Sequence, residues 1–136
     1  MLKRLFGNHK PEEYSVLVLD DDPGLVHMIV NMLRSEGFVV HAATSGDEAL
    51  KLLDQIPRPN VFVLDLKMPG ITGDEFLERA RIRYGKNAIP PVLLLTASKE
   101  GEAKADEMAA NDFLPKPFNG EELVRHIWGL IEPGEA

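Results

Sequence analysis

Short, almost wholly apolar runs alternate with amphipathic stretches five times along the chain. "SVLVLD" (15–20), "VFVLD" (61–65) and "PVLLLTA" (91–97) lack the every-second-residue polar pattern of a half-exposed strand. They therefore predict strands covered on both faces, as in a parallel sheet. "FVVHAAT" (38–44) and "DFLPK" (112–116) are weaker runs and suit strands nearer an edge.

The stretches between them predict helices with recognisable ends. The first has Asp22 as N-cap and Pro23 at the first helical position, with Leu25, Met28, Ile29, Met32 and Leu33 at helix spacing and Gly37 as a stop. Ser45 and Glu48 form a capping-box pair ahead of Ala49, Leu52, Leu53 and Ile56. A third helix follows Gly73, turns Phe76, Leu77, Ala80 and Tyr84 inward, and ends at Gly85. The fourth, over roughly 99–110, is alanine-rich and charged, so it should be the least firmly packed. The last opens at Asn119 with Glu122 three residues on, and lines Leu123, Ile127 and Leu130 beside Val124, Trp128 and Ile131.

Five strands in strict alternation with five helices predict an α/β fold, a doubly wound parallel sheet with helices on both faces. At 136 residues the economical arrangement is a flavodoxin-like, five-stranded sheet in the order 2-1-3-4-5. With 44% hydrophobic residues, that length suits one domain, expected over 15–132, with a flexible leader at 1–14 and a short tail at 133–136. The 15 basic and 22 acidic residues leave a formal charge of −7, which argues against a nonspecific grip on nucleic acid or an anionic membrane. Cysteine is absent, which excludes disulfides, zinc-thiolate sites and thiol nucleophiles. The start lacks the long apolar core of a signal peptide, and no run is long enough to span a bilayer, so a cytoplasmic protein is expected.

One feature sits awkwardly with simple burial. In "VLVLDDDPG" four apolar residues run straight into Asp20, Asp21 and Asp22, where like charges repel and resist desolvation. Asp22 has a structural explanation as the helix cap, but its two neighbours do not. In a doubly wound parallel sheet the strand ends share one rim, and ligands bind where the winding reverses, between strands one and three. Asp20, Asp21 and Asp65 meet there, with Thr96 and Lys116 closing the fourth and fifth strands. A hard cation such as Mg2+ would relieve the repulsion, and Lys116 adds a fixed positive charge. Such a site suits a phosphoryl group. His9, His27, His41 and His126 are scattered without metal-ligand spacing.

The segments "LVLDDDP", "VFVLDLKMPGITG", "LLLTA" and "DFLPKPF" resemble, in order, the four signature blocks of the receiver domain of two-component response regulators, across about residues 15–131. The resemblance implies that Asp65 is the phosphoacceptor for a phosphoryl group from a sensor histidine kinase or phosphotransfer protein. It implies that Asp20, Asp21, Asp65 and the backbone carbonyl of Lys67 hold Mg2+ or Mn2+, and that Lys116 bridges to the acceptor carboxylate. Thr96 and Phe113 would act as the switch pair. Output would pass to a downstream effector protein through the fourth helix, fifth strand and fifth helix, as a monomer or a phosphorylation-dependent dimer. Lys67 and Ser98 stand where the family tunes the lifetime of the acyl phosphate, and the Lys116–Pro117 bond resembles the family's cis peptide. Catalysis is then limited to self-phosphorylation from a donor and autodephosphorylation.

The chain departs from the family pattern in two places: the interval from Thr96 to Lys116 is slightly short, and Ala109-Ala110 stands where Gly-Ala is common. Two rivals remain. One is a receiver-like docking module that is never phosphorylated. The other is a haloacid-dehalogenase-type phosphatase with Asp20 as nucleophile and Asp22 as general acid, which leaves Asp65 and the following "MPG" unexplained. No DNA-binding segment is recognisable, and a stand-alone switch is expected.

Overall fold

The computed structural model describes residues 10–65, 68, 70–97 and 101–132. Five strands, β1 (Ser15–Leu19), β2 (Val39–Ala43), β3 (Val61–Asp65), β4 (Val92–Thr96) and β5 (Asp112–Pro115), form one sheet in the order β2-β1-β3-β4-β5. Every pairing is parallel. The helices are α1 (Pro23–Ser35), α2 (Gly46–Leu53), α3 (Gly73–Tyr84), α4 (Gly101–Met108) and α5 (Gly120–Ile131). The order and the alternation are those expected from the hydrophobic pattern. The two weaker apolar runs, β2 and β5, are the edge strands, and the fully buried β3 and β4 lie inside.

Strand side chains alternate between faces, and this splits the core into two layers. Val16, Val18, Val63, Leu93 and Leu95 pack with α1 and α5, through Ile29, Leu33, Leu123 and Ile127. Leu17, Leu19, Phe62, Leu64 and Leu94 pack with α2, α3 and α4, through Ala49, Phe76, Leu77 and Met108.

The helix ends follow the local signals. Asp22 caps α1 by accepting from the N–H groups of Gly24 and Leu25, and Asn119 and Glu122 form the reciprocal capping box of α5. Two expectations shift. Met28 was placed on the inward stripe of α1 but is 44% exposed; Val26 and Val30 face the sheet instead, so the helix is rolled toward its β-branched side. Residues 10–14 of the expected leader are built into the fold, with Pro11 buried and the Tyr14 ring edge-on to Trp128 at 5.5 Å. The Tyr14 hydroxyl also hydrogen-bonds Glu132 just beyond α5.

Candidate functional site

Four of the five strands end in or beside a residue that the site uses. Asp20 follows β1 directly, Asp65 and Thr96 are the last residues of β3 and β4, and Lys116 follows β5. Parallel pairing then brings these ends to one rim, and the Lys116 N–H donates to the Thr96 carbonyl at 2.8 Å. Asp20 is completely buried, Asp65 is 7% exposed and Thr96 2% exposed, the three buried polar or charged side chains among the described residues. Such burial is costly for charged groups without partners.

The partner is Lys116. Its Nζ donates to Asp20 Oδ2 at 2.9 Å and to Asp65 Oδ1 at 3.4 Å. The resemblance placed Lys116 on the acceptor carboxylate, and the structure adds that its shorter contact is with Asp20. Asp20 is further held by the Asp22 N–H, which donates to its Oδ1 at 3.0 Å. That two-residue step is a common aspartate turn, a signal legible in "DDD" but hidden by the charge pattern. Asp22 itself is exposed and has the structural role expected of it, its Oδ1 capping α1 by accepting from the Gly24 and Leu25 N–H groups.

Asp20, Asp21 and Asp65 each offer one carboxylate oxygen, all within 4.8 Å of one another. Burial, then the neighbouring Asp20 charge, pushes the Asp65 carboxyl up from 3.8 to about 6, against the opposing pull of Lys116. Burial lowers Lys116, but its hydrogen bond to Asp20 and the charges of Asp65 and Asp20 outweigh that and raise it. One ammonium among three carboxylates leaves the rim short of positive charge. An all-oxygen donor set of this kind matches a hard cation that retains some water.

Phe113 is half-buried and packs against the layer formed by α2, α3 and α4. The Lys116–Pro117 bond is cis, as the resemblance implied. Lys67 and Ser98 lie outside the described residues.

A carboxylate-rich crevice at the carboxyl rim of a 2-1-3-4-5 sheet, clamped by one lysine, defines a class of flavodoxin-like α/β proteins. Comparison with known proteins narrows the class: the model of the response regulator receiver domain matches residues 16–128, and the chain belongs to that family. It is 36% identical over 118 residues to the transcriptional regulatory protein TrcR of Mycobacterium tuberculosis, covering 85% of this chain and 44% of TrcR. The chain thus spans about half the length of the curated relatives it matches. Among solved structures, the chemotaxis protein CheY4 of Vibrio cholerae superposes with a TM-score of 0.77 at 31% identity, covering 86% of this chain and 98% of that one. The response regulator TrrA of Thermotoga maritima, solved with Mg(2+)-BeF, gives 0.74 at 31% identity, with the same coverage. No helix among the described residues is long and apolar enough to cross a membrane.

Proposed function

We propose that this receiver is a phosphorylation-dependent switch in which Asp65 accepts a phosphoryl group from a phosphohistidine of a sensor kinase or phosphotransfer protein. The observation that carries the reading is Asp65 itself: a carboxylate at the end of a buried strand, desolvated, 3.4 Å from a lysine and grouped with two further carboxylates.

The metal that this family implies is Mg2+ or Mn2+, and Asp20, Asp21 and Asp65 would hold it with the backbone carbonyl of Lys67. When bound, it supplies charge that offsets the negative oxygens of the transferring group. The side chains do the rest by position. An Asp65 carboxylate oxygen attacks phosphorus, the bond to the histidine nitrogen breaks, and the electron pair leaves with the imidazole. Lys116, already held by Asp20, keeps its ammonium beside the acceptor, where negative charge accumulates. The Thr96 hydroxyl donates to a phosphoryl oxygen as the group is transferred, and Phe113 then turns inward as space opens. The surface made by α4, β5 and α5 thereby changes for an effector protein or a second copy of the chain.

Beyond this transfer and the hydrolysis of the resulting acyl phosphate, no catalysis is assigned to the chain. Intact mass after incubation with Mg2+ and acetyl phosphate tests the reading. Wild type should gain one phosphoryl mass and Asp65→Asn none. Equal gain in both would move the acceptor elsewhere, and no gain in either would favour a docking module that is never phosphorylated.

A further inference from the structure

The first turn of α4 meets β4 without a side chain between them. Gly101 is buried, and a Cβ built on it would lie closer than 3.0 Å to the Thr96 Cγ2, 3.5 Å from the Thr96 Cβ and 3.6 Å from the Phe113 Cδ2. The Thr96 methyl therefore occupies the space that any other residue at 101 would fill. Gly120 offers a contrast, since its Cβ would meet the thioether end of Met32, a flexible side chain that can move aside. Thr96 cannot yield in that way, because it is β-branched, stiff at χ1 and 2% exposed.

We propose that Gly101 is a positioning residue for Thr96: the bare backbone at the start of α4 seats the threonine methyl and thereby fixes where its hydroxyl stands. The reason is the geometry of a staggered carbon. The threonine Cβ carries a methyl, a hydroxyl and a hydrogen on three staggered positions, and the methyl fills the one facing Gly101. With a Cβ at 101, only the hydrogen can face that way. Rotating χ1 to place it there necessarily carries the hydroxyl off its present position. Serine has no methyl, so Thr96→Ser removes the conflict and leaves the hydroxyl where it stands. The inference rests on the proposed role of the Thr96 hydroxyl at a phosphoryl oxygen.

The test is a time course of intact mass with Mg2+ and acetyl phosphate on wild type, Gly101→Ala, Thr96→Ser and the double variant, each also followed by urea unfolding. Gly101→Ala should slow phosphoryl gain roughly tenfold or more, since misplacing a positioned group by 1 Å can cost on the order of a hundredfold. The double variant should gain the group at the rate of Thr96→Ser alone. Wild type that gains nothing would overturn the phosphoacceptor reading itself. If wild type is labelled, an unchanged rate in Gly101→Ala, or a slowing that persists in the Thr96→Ser background, overturns only the seating of Thr96. Should Gly101→Ala fail to fold, a folded and active double variant supports the seat, and an unfolded one overturns it.

Discussion

Asp65 stands under opposed forces, and its chemistry follows from their balance. Burial and Asp20 raise its carboxyl to about 6, while Lys116 pulls the other way. The folded protein thus holds a proton on Asp65 that the unfolded chain has already released near pH 3.8, so without a divalent cation this group makes stability fall as pH rises from about 4 to about 6. Asp65→Asn should remove that slope and raise stability at pH 7 by on the order of 2–3 kcal/mol, at 1.36 kcal/mol per pKa unit. Urea unfolding at pH 4.5 and pH 7 in chelator checks it, and parallel profiles for the two proteins would contradict it. Ala109 carries another local cost, because at φ 56 it adopts the left-handed conformation without being glycine. Ala109→Gly should stabilise by about 1 kcal/mol, since that conformation costs roughly 1–2 kcal/mol for a residue with a Cβ and glycine gives part back as entropy. A urea midpoint that is unchanged or lower would rule this out.

The elements differ in how much of their form is local. The start of α5 is local, since the Asn119 side chain accepts from the Glu122 N–H at 2.8 Å and the Glu122 side chain accepts from the Asn119 N–H at 3.3 Å. Asn119→Ala should cost about 1 kcal/mol, the usual worth of such a cap, with faster amide exchange in the first turn of α5 while α1 is unaffected. Because capping signals act over three residues, they were readable at Asp22, Ser45 and Asn119 alike. The inward face of α1 was not. Of the expected stripe Leu25, Met28, Ile29, Met32 and Leu33, the sheet buries Ile29 and Leu33 and keeps Leu25 and Met32 against the core, but it takes Val26 and Val30 inward in place of Met28. α4 illustrates the same dependence: with few large apolar residues of its own, it has its last carbonyl, that of Met108, held by Arg81, which donates to it from α3 at 2.5 Å.

At the scale of the molecule, the site and the stability of the fold are linked. Ligand oxygens from the ends of β1 and β3 must meet before a cation can be held there, so Mg2+ taken up at this rim would bind the folded form and not the open chain. Adding Mg2+ at about 100 times its dissociation constant should stabilise wild type by about 2.7 kcal/mol and raise its melting temperature. Asp21→Asn should keep the fold, because Asp21 is exposed, and lose most of that increase. An equal rise in both proteins would place the cation elsewhere. The formal charge of −7 adds a general attraction for cations, so the comparison is made at moderate salt, where that background is screened.

The sequence by itself determined the alternation of strands and helices, which strands are central, where most helices start, and the identity of the rim residues. These depend on hydrophobic period and on signals a few residues apart, which a linear reading can follow. Four separated motif blocks carried the family resemblance for the same reason. Only the tertiary structure decided how the rim is assembled: that Lys116 grips Asp20, 96 positions away, more closely than Asp65, that α1 turns its valines inward, and that Gly101 makes room for Thr96. Those facts arise from contacts between distant strand and helix ends, where packing, desolvation and charge are settled together and leave no periodic trace in the chain.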